Sequence, residues 1–444
     1  MSSTAYMLNG FDVANTHKVE PHMQELIAQR AKRLGPSYKL FYEHPVHFVR
    51  ADGVYLYDSN GTPYLDVYNN VPSVGHCHPR VVEAVTRQMS TLNSHTRYLN
   101  EGILSYAEQL LSTFPQEMSN VMFTCTGSES VDLAMRVARF NTKGTGFIVT
   151  RNAYHGITAS VAEISPTMGP HVPVGQHVRM VKAPDAYRTA PGVDVDTEFA
   201  QEVERAINEL ERHGIRFAGM IVDTVFSTDG LFPHPAGFLR KAVDVVHQRG
   251  GLFIADEVQP GFARLGDSMW GFQRHNILPD MAVMGKPMGN GLPIAAVVAK
   301  PELLVEFGNK VRYFNTFGGN SVCIAAAQAV LDVIMDEKLQ DNSKNMGAYI
   351  LKGLRELTAG HSGVGDVRGS GLYLAVEFVK DKQTKEPDGE FALKLVNALR
   401  ENRVLISATG PAGNSLKIRP PLPFTRENSD EFLDIFKMTL EQIS

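Results

Sequence analysis

Apolar residues in the middle of this chain fall in short, nearly unbroken runs: VMFTC (121–125), GFIVT (146–150), GMIVDTV (219–225), GGLFIADEV (250–258), DMAVMG (280–285) and PIAAVVA (293–299). Continuous rather than alternating runs are the mark of strands covered by helices on both faces, as in a parallel sheet. Between them the period lengthens to that of a helix. SESVDLAMRVARF puts Val131, Ala134, Val137 and Ala138 on one stripe, and EFAQEVERAINELERHG stops at Gly214, a C-terminal capping residue. Strands alternating with helices predict an α/β fold. The outer segments are patterned differently. YLYDSNGTPYLDV reads as a hairpin turning at SNG, and beyond about residue 330 long helices mix with the strand-like GLYLAVEFV and LKIRPP. A second, discontinuous domain built from both termini is expected.

Composition narrows the classes of function. With 444 residues, 43% of them apolar, the chain can bury a large core in two or three structural units. A net charge of -5 with no Lys/Arg run argues against nucleic acid or an anionic membrane surface as partner, and for a small molecule. No apolar stretch reaches the roughly 18 residues of a membrane span. The start, MSSTAYMLNGFD, lacks a basic-then-apolar leader pattern, so a cytoplasmic protein is expected. Three cysteines, Cys77, Cys125 and Cys323, lack metal-ligand spacing and read as packing residues. His76 and His78 in GHCHP read as a turn before a helix, without a third ligand to make a metal site.

Four segments carry candidate chemistry. TCTGSES (124–130) ends a strand and opens a helix, so it is either a plain N-cap or an anion cup at Gly127 and Ser128. IADEVQPGF (254–262) ends a strand on Asp256 and Glu257, where open α/β sheets bind ligands. A buried carboxylate there could face a protonated heterocycle, a magnesium ion or a helix end. In NAYHGIT (152–158), Tyr154 is either a core aromatic or a face for a planar ligand. GKPMGNG (285–291) resembles a phosphate loop only superficially. Its glycines follow the lysine and Pro287 sits where the magnesium-binding hydroxyl would be needed. Lys286 therefore reads as a loop lysine or as a desolvated amine for Schiff-base chemistry.

Taken together, TGSES, NAYHG, ADEVQPGFARLG, MGKPMGNG and YFNTFGGN occur in the order and spacing of one family. Over nearly the whole chain the sequence resembles the class III, fold-type I aminotransferases dependent on pyridoxal 5'-phosphate. The resemblance implies a large domain with a mostly parallel seven-stranded sheet plus a smaller α+β domain, here 1–60 and 329–444 around 61–328. It implies that Lys286 anchors the cofactor covalently and carries protons, and that Asp256 pairs with the pyridinium nitrogen. Gln259 would lie near the phenolic oxygen, Tyr154 would stack on the ring, and Gly127 and Ser128 would hold the phosphate. Thr316 would reach that phosphate from a neighbouring subunit, making a homodimer with its active site at the subunit interface.

YNNVPSVGHCHP (68–79), EISP (163–166), PDAYR (184–188) and NRVLISATGP with LKIRPPLPFT (402–425) are similar to the phospho-lyase branch, whose members act on ethanolamine phosphate or 5-phosphohydroxylysine. That branch eliminates phosphate; the alternative is an ω-aminotransferase that passes the amino group to a 2-oxo acid. By position, Asn69 and Asn70 should line the substrate pocket. Lys417 takes the place of the carboxylate-binding arginine common in related aminotransferases, and Arg419, two residues on, shares its face. Losing that planar fork weakens the case for a dicarboxylate substrate. The sequence departs from the family's pattern at Asp223, where glutamate is usual, and at Thr126, Ser130, Phe226 and Asp229, which bears on substrate fit.

Overall fold

The computed structural model describes residues 7–443; residues 1–6, where the expected N-terminal segment begins, and Ser444 lie outside that range. Its centre is a seven-stranded sheet in the order Asn120–Thr124, Ala295–Ala299, Met281–Met284, Leu252–Asp256, Phe217–Asp223, Gly146–Thr150, Val178–Val181. Only Ala295–Ala299 runs against its neighbours. Every position of Gly146–Thr150, Met281–Met284 and Ala295–Ala299 is buried, which is why their sequences read as solid apolar runs. Such a run carries no sign of direction, so the reversal of Ala295–Ala299 was invisible in the pattern. Val178–Val181 was missed altogether. This four-residue edge strand is only half buried and has Arg179 in its middle.

Helix Gly127–Thr142 buries Val131, Ala134, Val137 and Ala138 against one face of the sheet. Its N-cap is Thr126, whose hydroxyl accepts the Glu129 N–H at 3.2 Å, a contact of about 1 kcal/mol. Helix Val195–Arg212 covers the sheet too, and Gly214 follows it with φ +72°, a conformation that glycine adopts without a Cβ clash.

Two smaller sheets carry the rest. The expected hairpin is present as Tyr55–Asp58 and Pro63–Asp66, which pair with Phe48–Asp52. Val404–Leu405 then joins Pro63–Asp66 in parallel, tying the N-terminal segment to the C-terminal one. An antiparallel sheet runs Val364–Ser370, Tyr373–Asp381, Ser415–Ile418, Ser407–Thr409. No helix among the described residues is long and apolar enough to cross a membrane. Cys323 is buried, but Cys77 is exposed at φ +53°, so it is a turn residue and not a packing one. His76 bonds Asp66 at 2.8 Å and His78 precedes helix Pro79–Thr91, the turn before a helix that the sequence suggested.

Candidate active site

The chemistry-bearing segments all leave the central sheet at the carboxyl ends of strands, where backbone diverges and leaves a crevice. Gly127 follows Asn120–Thr124, Tyr154 follows Gly146–Thr150, Asp223 and Asp256 end neighbouring paired strands, and Lys286 follows Met281–Met284. Close approaches of glycine draw these ends together. A Cβ on Gly285 would lie 3.4 Å from the Gly127 nitrogen, and one on Gly127 would lie 3.1 Å from the Val258 side chain. A Cβ on Gly156 would lie 2.4 Å from Ser128 Oγ, which accepts the Ile157 N–H at 3.0 Å. The 154–157 turn is therefore seated on the helix N-terminus.

From Pro279 to Gly289 every residue is buried except Lys286, whose side chain opens into the crevice. Its amine makes no hydrogen bond or ion pair with any described residue. The surrounding protein desolvates it, and Arg419 repels its charge, so its pKa lies below that of an ordinary lysine despite the opposing pull of Asp256 and Asp223. A desolvated amine of lowered basicity is the nucleophile that Schiff-base chemistry needs.

Asp256 is buried and held from two sides. Oδ1 accepts the Val258 N–H at 3.1 Å, and Oδ2 contacts His155 Nδ1 at 2.7 Å. The imidazole thus aims the carboxylate into the crevice, a positioning part the sequence did not disclose, although His155 is adjacent to Tyr154. Tyr154 itself is 38% exposed and stacks on no other ring among the described residues. A large aromatic face left bare beside a buried carboxylate suits a planar ligand. The first-turn N–H groups of Gly127 and Ser128 lack acceptors, as at any helix start, and the dipole there favours an anion. Glu257, by contrast, turns away: it accepts the Gly271 N–H at 2.7 Å and the Phe272 N–H at 2.8 Å.

Opposite lies a cluster of cations. Arg419 is buried, donates to the Tyr68 carbonyl at 3.1 Å and to Gln259 Oε1, and lies against the rings of Tyr68 and Tyr373. Gln259 Oε1 also accepts the Tyr373 hydroxyl at 3.0 Å, so the amide carbonyl is engaged and its NH₂ remains for a ligand. Lys417 is buried on Ser415–Ile418. Asp223 bonds the Val225 and Ser227 N–H groups, and burial followed by the charge of Asp256 raises its pKa.

The two asparagines separate. Asn69 donates through Nδ2 to both oxygens of Asp66, at 3.2 and 3.0 Å, so Asp66 engages its amide. Asn70 is buried and its Nδ2 has no partner among the described residues. The segment carrying it is stapled to the lysine loop by Asn290, which accepts the Val74 N–H at 3.1 Å and donates to the Gly75 carbonyl at 2.8 Å. Asn290 sits at φ +49° in the GNG turn, so this turn does tie two segments together. Thr316 is exposed on the loop that precedes helix Ser321–Asp336 and has no bond to Gly127 or Ser128 of its own chain.

An unpaired amine opening into the crevice, an aimed carboxylate, a partly exposed ring and a helix N-terminus define a site for pyridoxal phosphate on a fold-type I sheet. The aminotransferase class-III family model matches residues 40–440, and the chain belongs to that family, whose members depend on this cofactor. It is 39% identical to "Alanine--glyoxylate aminotransferase 2-like" from Drosophila melanogaster, over 94% of this chain and 87% of that protein. It is 37% identical to "Ethanolamine-phosphate phospho-lyase homolog 1" from Caenorhabditis elegans, over 91% of each. Among solved structures it is similar to a phospholyase from Arthrobacter in complex with phosphoethanolamine, with 42% identity and a TM-score of 0.91, covering 94% of this chain and 99% of that one.

Proposed function

We propose that this protein is a phospho-lyase that eliminates phosphate from ethanolamine phosphate, giving acetaldehyde, ammonia and inorganic phosphate. The observation that carries this reading is the pairing of two buried basic side chains, Lys417 and Arg419, with the donor of Asn70, unpartnered among the described residues, a set that suits a compact dianion. The relatives named for phospho-lyase activity support it.

Bound pyridoxal phosphate supplies an electron sink for charge developing on the amine-bearing carbon. Gly127 and Ser128 would hold its phosphate, Tyr154 its ring face and Gln259 its phenolic oxygen. Asp256, aimed by His155, would keep a proton on the ring nitrogen. Lys286 would remove the proton from the amine-bearing carbon, and the phosphate on the next carbon would leave. A homodimer belongs to the same proposal. Tyr98, Leu99, Leu104, Phe314 and Phe317 are exposed; His95 packs against both Tyr98 and Phe314, at 5.0 and 6.2 Å between ring centroids, and Arg97 lies 3.7 Å over the Phe314 ring. Burying that apolar face against a second copy would carry Thr316 toward the partner's cofactor phosphate.

The test is incubation of the holoenzyme with ethanolamine phosphate alone, following phosphate and acetaldehyde. The relative named as an aminotransferase favours a second reading, transfer of the amino group to a 2-oxo acid. No phosphate release, with steady amino transfer once pyruvate is added, would decide for that alternative.

A further inference from the structure

Breaking the carbon–oxygen bond of a phosphate ester leaves the bond's electron pair on a phosphate oxygen, which then needs a proton. Lys286 is occupied with the proton from carbon, and a guanidinium such as that of Arg419 does not give up its proton. Lys417 differs from both. It is 7% exposed, and its ammonium makes no hydrogen bond or ion pair with any described residue. Its cross-strand neighbours, Ala375 and Ser407, carry no charge. The charged groups facing it are Arg419 on its own strand's continuation, Asp223 at the end of Phe217–Asp223, and Lys286 across the crevice. Asp223 is already engaged by two backbone N–H groups and offers Lys417 no bond. Burial, followed by repulsion from Arg419 and Lys286, holds the pKa of Lys417 well below that of an ordinary lysine. Burial and the two like charges oppose the ammonium form, with Asp223 pulling the other way. A phosphate dianion is the missing counter-ion, and its arrival draws a proton onto the amine.

We propose that Lys417 is the general acid of the elimination, taking up a proton when the phosphate group binds and delivering it to the departing oxygen. The step balances: Lys286 accepts the C–H proton, and the freed pair forms the carbon–carbon double bond. The C–O pair goes to phosphate, and the Lys417 proton converts that oxygen to the hydroxyl of hydrogen phosphate. This rests on the phospho-lyase reading.

Two measurements on the holoenzyme test it. The first is calorimetry of inorganic phosphate binding at about pH 8.5, where phosphate is a dianion, in buffers of different ionisation enthalpy. Wild type should take up protons as phosphate binds, and K417M none. The second compares ethanolamine phosphate with 2-chloroethylamine, whose leaving chloride needs no proton. K417M should lose roughly 10²–10⁴-fold in kcat on the phosphate ester and keep its rate on the chloride. K417R, which retains charge without a transferable proton, should hold KM and lose kcat. Absence of proton uptake in wild type, equal losses on both substrates, or a raised KM with kcat intact in K417M would each overturn the general-acid role. Absence of phosphate release by wild type would overturn the underlying reading as well.

Discussion

Gly156→Ala puts the closest contact in the site under load. Gly156 has φ +141°, which L residues rarely adopt, and the new Cβ would fall 2.4 Å from Ser128 Oγ and 2.8 Å from Ser128 Cα. Two outcomes are open to the chain. If the turn stays, the strained backbone costs about 1–3 kcal/mol, and the displaced Ser128 hydroxyl gives up its bond from the Ile157 N–H, about another 1 kcal/mol. If the turn moves instead, fold stability is spared. Tyr154, two residues before Gly156, is then carried off the helix N-terminus, and the cofactor loses its ring face. For the first outcome the sum is roughly 2–4 kcal/mol, which is a factor of about 30 to 1,000 in an equilibrium constant at 1.4 kcal/mol per tenfold. Urea unfolding of the apoenzyme reads the first outcome. Cofactor affinity, measured by absorbance on dilution or dialysis, reads the second. Wild-type urea midpoint together with wild-type cofactor affinity would refute the proposed seating of this turn.

Other outcomes follow from the same geometry. Lys286→Ala should abolish both phosphate release and amino transfer, and turnover in that variant would remove Lys286 from its proposed role. Asn70→Ala deletes a buried donor with no partner among the described residues. It should therefore leave thermal stability nearly unchanged while raising KM for ethanolamine phosphate about tenfold; a fall in stability with KM untouched would show a packing residue. His275 is buried and neutral. It donates from Nε2 to the Thr224 carbonyl at 2.9 Å and accepts the Gly237 N–H on Nδ1 at 3.2 Å, so burial holds its pKa down at about 4. Its unfolded form takes up a proton first as pH falls. Stability from this residue is thus complete above its ordinary value of 6.5 and is lost as pH drops toward about 4, by roughly 3 kcal/mol. Urea midpoints across that window should fall less steeply in His275→Asn, and parallel curves would refute the assignment.

Much of this protein was determined by the sequence alone, for a physical reason. A strand covered on both faces must be apolar throughout, and a helix packed on one side must repeat its apolar residues every turn. The core of the large sheet and the burial of Val131, Ala134, Val137 and Ala138 were therefore legible as local pattern. The chemistry at strand ends was legible too, because TGSES, Asp256 and Lys286 each sit where an apolar run stops. Pattern failed where no local property differs. The half-exposed strand Val178–Val181 has no solid apolar run, and the reversal of Ala295–Ala299 leaves composition unchanged. The site's partnerships were decided by tertiary structure only, since they join residues far apart in the chain. His155 and Asp256 are 101 positions apart, and Arg419 and Gln259 are 160 apart. Asn69 and Asn70 are neighbours in sequence, yet one is consumed by Asp66 and the other is left with a free donor. In the sequence Lys417 stood only as the replacement for a carboxylate-binding arginine. Only the packing of three sheet segments around it, with no carboxylate left to bond it, makes its charge depend on what enters the crevice.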